Sequence, residues 1–282
     1  GIRNKWSNGA IRDFLEGLYN KVELNHVFSD ISLELKKYID FSSEENYYAL
    51  ISLWIIGTYF HCIFNSFPYL FFNGIKRSGK SKIQEILGIL SFNSEPLVSP
   101  TESTLFRLIN SFKSTMIIDE LEGIFRENRG LIFEILKSGY KKGFAVPRAR
   151  DDGKEFVVER YKYFGPKSIS NIEGIEEVLQ DRCISIVMQR TGNRIIGNRI
   201  IDQNDTIWQS ICDNLYYCMM TNWKEMLFLY HTFYNYFTEP TFGTIEDMKK
   251  AMKTAYDYIN FNYFLSIDSV DSVDSVVSGD SA

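Results

Sequence analysis

The chain has 282 residues, a formal net charge of −5 at pH 7, 45% apolar residues and 15% aromatic residues. This composition excludes a disordered, collagen-like or polar-repeat protein. The acidic total also excludes a protein that coats nucleic acid over its whole surface. The four cysteines and three histidines show no zinc or disulfide spacing, which favours a reduced, intracellular and cytoplasmic protein.

The first part of the chain has a helical pattern. Apolar residues recur at helical spacing over 8–24 and 29–39, and Ser42 with Glu45 is typical of a helix start. The next helix carries an uncharged apolar run over 47–64, which is about long enough to span a membrane. Because this run contains polar residues and leads directly into a phosphate-loop motif, we favour a buried helix over a membrane span.

Short apolar runs then alternate with helical segments, which predicts an α/β fold with a central parallel sheet. The predicted strands are 69–72, 115–118, 144–148, 155–160, 167–170 and 183–188. The predicted helices are 80–90, 105–112, 131–138, 208–220, 223–237 and 245–264. The strands at 144–148 and 155–160 flank Asp151-Asp152-Gly153, which is a strong signal for a β-hairpin.

These patterns divide the chain into four regions. They are an N-terminal helical region at 1–66, an α/β core at 67–190 with a hairpin at 140–160, a C-terminal helical region at 191–265, and an acidic segment at 266–282. The last region repeats Ser-Val-Asp and has no basic residue, so we expect a disordered tail or a linker.

The segment 74–81, Gly-Ile-Lys-Arg-Ser-Gly-Lys-Ser, matches the phosphate-binding pattern G-x-x-x-x-G-K-[ST] at every fixed position. In such a loop the backbone N–H groups face phosphate oxygens, and the following helix adds a partial positive charge. We expect Lys80 to reach the β- and γ-phosphates of ATP and Ser81 to ligate Mg²⁺. The nucleotide-contacting candidates are Gly74, Ile75, Lys76, Arg77, Ser78, Gly79, Lys80 and Ser81.

Two acidic residues, Asp119 and Glu120, follow the predicted strand at 115–118. We expect Asp119 to hold Mg²⁺, directly or through water, and Glu120 to polarise the attacking water. Asn171 ends a later strand, and its amide is a candidate to orient that water. A lone Asn at a strand end is also common in turns, so both interpretations stay open.

An arginine from a neighbouring subunit is a further candidate for catalysis. Arg182 precedes the strand at 183–188 and could stabilise transition-state charge in trans. Arg190 is the alternative, and a local surface pair of Asp181 with Arg182 is the simpler interpretation.

The most basic part of the chain is the predicted hairpin. Residues 137–167 hold nine basic residues and four acidic ones, a local net charge of +5, with Tyr140 and Phe144 interleaved. Such a hairpin suits a phosphate backbone, and its aromatic rings could stack on bases. The alternative is a solvated hairpin whose charges have no partner.

The order of these motifs resembles the AAA+ ATPase core of superfamily III DNA helicases, the replicative helicases of viruses and plasmids. It is also similar to related ATPases of mobile elements, which are often fused to a primase. The resemblance covers about 45–190, and its hairpin part rests on the Leu-Lys-Ser-Gly-Tyr-Lys-Lys-Gly segment at 136–143 and on Gly-Pro-Lys at 165–167.

The resemblance implies ATP and Mg²⁺ as cofactors, a homo-oligomeric ring such as a hexamer, single-stranded DNA in its pore, an associated or fused primase, and no membrane. The helical region at 1–66 would form the collar of the ring. Because the hairpin tip is acidic, DNA contact would fall to Lys141, Lys142, Arg148 and Arg150.

We therefore expect an ATP-dependent DNA helicase or translocase. Two alternatives stay open. The first is a non-translocating AAA+ ATPase such as a loader, a remodeller or a defence ATPase. The second is a nucleotide-gated interaction module whose aromatic-rich C-terminal helices bind a protein.

Overall fold

A computed structural model describes residues 5–41, 44–97, 114–119, 133–151, 156–172 and 174–236 of the chain. All of these residues belong to one unit, Gly1–Tyr236. The expected helices at 105–112 and 245–264, the acidic segment at 266–282 and the helix start at Ser42 lie outside the described residues.

The N-terminal helices are α1 (Asn8–Leu15), α2 (Leu24–Tyr38) and α3 (Asn46–Phe60). The helix expected over 8–24 ends at Leu15, because Gly17 follows with a left-handed φ of 71°. The second helix begins at Leu24 rather than at residue 29. No helix in the described part of the chain combines the length and apolar character that a membrane span requires.

The strands among the described residues are β1 (Tyr69–Gly74), β2 (Glu95–Leu97), β3 (Met116–Ile118), β4 (Ala145–Asp151), β5 (Phe156–Lys162), β6 (Lys167–Asn171) and β7 (Cys183–Met188). Five of them form a parallel sheet in the order β2-β3-β6-β1-β7. The expected α/β class is confirmed: this is a P-loop NTPase-like fold, with the phosphate loop directly after β1, which lies between β6 and β7. Strand β2 escaped prediction, because it has only three residues and contains Pro96.

Strands β4 and β5 form a separate antiparallel ribbon, as the hairpin signal predicts. The remaining helices are α4 (Lys80–Leu90), α5 (133–138), α6 (Glu177–Gln180), α7 (Arg194–Asn198) and α8 (Thr206–Tyr236). The ribbon is thus inserted between α5 and β6.

The expectation of two helices at 208–220 and 223–237 is wrong, because α8 is continuous across their boundary. The polar pair at that boundary bonds back into the same helix. Thr221 Oγ1 donates to the carbonyl of Tyr217 at 2.8 Å, and Asn222 Nδ2 donates to the carbonyl of Cys218 at 3.0 Å. Such side-chain bonding satisfies the polar groups without ending the helix.

Both faces of the sheet are buried, which is usual for a parallel sheet. Side chains alternate along β1, so Leu70 and Phe72 join a large cluster with α2, α3, α4 and α8, while Tyr69 and Phe71 join a smaller one. The larger cluster includes Trp54 of α3 and Trp208 of α8, both almost fully buried. Helices that precede the α/β core in the sequence (α2 and α3) and the helix that follows it (α8) therefore pack against β1, the strand before the phosphate loop.

Candidate functional site

The phosphate loop forms the turn from β1 into α4, at the carboxyl edge of the sheet. Gly79 has a φ of 94°, a left-handed conformation that favours glycine. At Gly74 an added Cβ would lie 2.8 Å from Ser78 Oγ and 3.0 Å from Met188 Cβ, closer than side chains tolerate. Both fixed glycines of the motif are therefore required by the backbone of the loop.

Three polar groups of the 74–81 segment are candidates for phosphate binding. The Lys80 ammonium donates to the carbonyls of Gly74 and Ile75, so it lies across its own loop. Ser81 follows it on the first turn of α4 and is exposed. The buried Ser78 Oγ has no hydrogen-bond partner among the described residues. The cradle at Gly74 and the unpartnered Ser78 hydroxyl fit a phosphate group.

Asp119 lies at the same edge, directly after β3, and its Oδ1 accepts a hydrogen bond from Ser170 Oγ of β6. Strand β6 stands between β3 and β1, so two strand spacings, about 10 Å, separate Asp119 from the phosphate loop. An acidic side chain here fits a Mg²⁺ ion shared with Ser81. Glu120 lies outside the described residues.

Asn171 ends β6, in register with Asn73 of β1, and thus lies between Asp119 and the phosphate loop. Its Nδ2 donates to the carbonyl of Gly174 at 2.7 Å. Its buried Oδ1 has no hydrogen-bond partner among the described residues. The turn interpretation therefore accounts for the Nδ2 group of Asn171, while its Oδ1 can still accept a hydrogen bond.

The two arginine candidates lie at opposite ends of strand β7. Arg182 precedes β7, where its Nε donates to the carbonyl of Lys137 at 2.7 Å and its guanidinium lies 5.0 Å from the centroid of Tyr140. Strand length puts it about 20 Å from the phosphate loop of its own chain. Arg190 follows β7, and its Nε donates to the carbonyl of Lys76 at 3.1 Å, inside that loop.

A cavity of about 250 Å³ opens beside the phosphate loop. The residues that matter in its lining are Tyr38, Asp40, Ser78, Lys82, Thr191 and Ile196. Thr191 Oγ1 donates to Asp40 Oδ2, and Lys82 Nζ donates to the carbonyl of Ile196 at 3.0 Å. Sequence reasoning missed this cavity, because only one of its three walls carries a motif and the other two come from segments far from it in sequence.

The four hairpin candidates differ in their surroundings. Lys141 is exposed and forms an isolated bridge with Ser66. Lys142 is half-buried, and its Nζ donates to the carbonyl of Cys62 at 2.6 Å. Arg148 and Arg150 lie on β4, opposite Glu159 and Val157 of β5 respectively. Lys141 is thus the exposed candidate at the root, and the two arginines lie on the ribbon itself.

Lys167 is one of the nine basic residues of the hairpin region, but it is only 1% exposed and cannot meet a phosphate backbone. It is the first residue of β6, and its Nζ donates to the carbonyls of Tyr163 and Gly165 at 3.0 Å and of Gly139 at 3.3 Å. Burial lowers its pKa to about 7.

Lys167 is expected to make the folded protein more stable as the pH rises from 7 to 8.5. The lysine pKa falls from 10.5 to about 7 on folding, so over this range the unfolded chain holds a proton that the folded protein has released. The folded state therefore gains up to about 1.4 kcal/mol per pH unit. Urea unfolding of wild type and Lys167→Met at both pH values measures this gain. An identical pH dependence in the two proteins would contradict it.

No protein-family model matches this sequence, and no curated protein is similar to it in sequence. The apo form of the NrS-1 C-terminal region is 14% identical, with a TM-score of 0.39, over 72% of this chain and 48% of that chain. A JCV helicase with a bound acetamide compound is 16% identical, with a TM-score of 0.33, over 78% of this chain and 72% of that one. The chain thus spans about half the length of the NrS-1 region. These similarities are too low to transfer any property to this chain.

Proposed function

We propose that the protein is an ATP-hydrolysing motor that acts on a nucleic-acid strand. The observation that carries the proposal is the order of side chains along the carboxyl edge of the sheet. Asp119 follows β3, Asn171 ends β6, and Lys80 begins α4 directly after the loop that follows β1. An acid, an amide and an ammonium in this order match the needs of phosphoryl transfer to water.

Each side chain then has one task. The backbone of Gly74–Ser81 cradles the phosphates, and the Lys80 ammonium exchanges the loop carbonyls for phosphate oxygens. Ser81 and Asp119 would hold Mg²⁺, which neutralises phosphate charge when bound. Ser170 holds Asp119 in place, Asn171 Oδ1 orients the attacking water, and Glu120 accepts its proton. We assign the nucleoside to the cavity beside the loop, which has a volume of about 250 Å³.

The finer proposal is an ATP-dependent DNA helicase or translocase from the replication machinery of a virus, plasmid or mobile element. It would work as a homo-oligomeric ring, such as a hexamer, with single-stranded DNA in the pore. Because Arg182 lies at the amino end of β7, away from the phosphate loop of its own chain, a catalytic role for it requires the nucleotide of a neighbouring subunit. Arg190 lies beside the phosphate loop of its own chain.

The expected result is that wild type displaces a labelled strand with ATP. A Lys141→Ala/Arg148→Ala/Arg150→Ala variant should hydrolyse ATP without displacing it, because phosphate contacts are removed from the hairpin alone. The matched control removes three exposed lysines away from the hairpin, Lys21, Lys36 and Lys224, and should unwind like wild type.

The remaining outcomes separate the alternatives. Steady ATP turnover by wild type without strand displacement would indicate a loader or remodeller. Nucleotide binding with almost no turnover would indicate a gated interaction module. Particle images with DNA and a non-hydrolysable ATP analogue would test the ring directly.

A further inference from the structure

The basic hairpin leaves the sheet region and returns to it through a narrow root. The chain leaves after α5 at Gly139 and returns through Tyr163 and Gly165, just before β6 begins. The backbone closes this root directly, since the Gly165 N–H donates to the Gly139 carbonyl at 3.3 Å. The outgoing side is also bonded to the segment before β1, since the Lys142 N–H donates to the Asn65 carbonyl at 2.8 Å.

A single buried amino group ties both sides of the root together. Lys167 Nζ donates to Gly139 on the outgoing side and to Tyr163 and Gly165 on the returning side. The Nζ also lies 4.8 Å from the centroid of the Tyr69 ring on β1. Three carbonyls accept from this one amino group, which has three N–H donors as an ammonium and two as a neutral amine.

The packing around this amino group is tight. An added Cβ at Gly139 would lie 2.6 Å from the Ile135 carbonyl oxygen and 2.8 Å from both Lys167 Nζ and the Tyr163 carbonyl oxygen. Burying a lysine is unfavourable unless its donors are satisfied, and an apolar side chain would avoid that cost. A role in holding the root therefore explains why a lysine stands here.

The strand that begins with Lys167 ends in the nucleotide site. Asn171 lies four residues along β6, about 13 Å away. On the same strand, Ser168 Oγ donates to Gln84 Oε1 of α4 at 2.6 Å, and Ser170 Oγ donates to Asp119. Strand β6 is thus attached to the phosphate-loop helix, to the acidic residue and to the hairpin root.

We propose that Lys167 is a positioning residue that fixes the root of the basic hairpin to β6, so that the hairpin meets its strand in the correct orientation. Lys167 itself is buried and contacts neither nucleotide nor nucleic acid. The proposal rests on the proposed function, because it assumes that the hairpin binds a nucleic-acid strand.

The test compares wild type with Lys167→Met, which keeps the length of the side chain and removes its donors. Binding of a fluorescent oligothymidine is measured by anisotropy with a non-hydrolysable ATP analogue, and basal ATP turnover is measured without DNA. We expect the Kd for the oligonucleotide to rise about tenfold or more, as small misplacements of binding groups do. The KM for ATP and the basal turnover should stay unchanged. Lys167→Arg, which restores donors, should recover part of the affinity.

The control is Ile169→Val, which trims a fully buried side chain on the same strand and does not touch the root. It should lower the melting temperature and leave oligonucleotide binding intact. If Lys167→Met does not fold, Lys167→Leu removes the same donors with a smaller apolar side chain and should show the same selective loss.

Three results would overturn parts of this account. Wild-type affinity in folded Lys167→Met would refute the role of Lys167. A binding defect in Ile169→Val equal to that of Lys167→Met would refute it too, because general destabilisation would then suffice. Absence of oligonucleotide binding by wild type would instead refute the proposed action on a strand.

Discussion

Lys80→Ala is expected to lower the ATP turnover rate by at least about a hundredfold, as loss of one group that stabilises developing charge does. The substitution removes the ammonium from the loop between β1 and α4 and leaves both glycines in place. Because alanine is a good helix former, α4 should still begin at residue 80. Release of inorganic phosphate under saturating ATP measures the effect.

Two controls make this result specific. Lys224→Ala removes an exposed lysine from α8, far along the chain from the loop, and should turn over like wild type. The melting temperature of Lys80→Ala should stay close to that of wild type, because its hydrogen bonds are to carbonyls of an open loop. Retained turnover in Lys80→Ala would remove the phosphate loop from the mechanism.

Gly74→Ala is expected to damage both the fold and nucleotide binding. The new Cβ would collide with the carbonyl oxygen and Cβ of Met188 on β7 and with Ser78 Oγ in the loop. Since backbone atoms cannot move aside easily, β1 and β7 must separate at their carboxyl ends. We expect a loss of about 1–3 kcal/mol in the free energy of unfolding. Urea unfolding and titration with a fluorescent ATP analogue measure the two effects.

Gly88→Ala is the matched control for this prediction. Gly88 lies in α4, and an added Cβ there would meet only Pro96 Cγ, at 3.9 Å. Replacing a glycine inside a helix by alanine should raise the free energy of unfolding by about 0.5–1 kcal/mol. Equal stability losses in the two variants would show that the close approach at Gly74 has no energetic consequence.

Local patterns account for the parts of the fold that were predicted correctly. The phosphate loop, the buried run of β7 and the pairing of β4 with β5, which Asp-Asp-Gly indicates in the sequence, each carry their signal within a few residues. The helix boundaries were less accurate, because apolar spacing continues through positions where a glycine or a polar pair decides the outcome. Gly17 ends α1, whereas Thr221 and Asn222 do not interrupt α8.

The features that were not predicted depend on which segments, far apart in the sequence, come into contact in the fold. Arg182 and Arg190 are alternative candidates in the sequence. They flank the same strand, so they lie at its opposite ends, and only Arg190 lies at the end where the phosphate loop is. The cavity beside the loop joins Asp40 to Thr191, which lie 151 positions apart. Lys167 looks like one more hairpin charge, and only its burial reveals that it bonds to the root. None of these three spatial arrangements can be inferred from a short stretch of the sequence.

The position of β1 in the sheet has a consequence for how the chain matures during synthesis. Its neighbours are β6 and β7, with Leu70 opposite Ser168 and Tyr69 opposite Cys183. Contacts between residues so far apart form slowly, because a long loop must close first. A nascent chain that has emerged only as far as the hairpin tip holds the whole Gly74–Ser81 segment but neither strand that supports it. If nucleotide binds as proposed, it can therefore assist folding only after Met188 has left the ribosome.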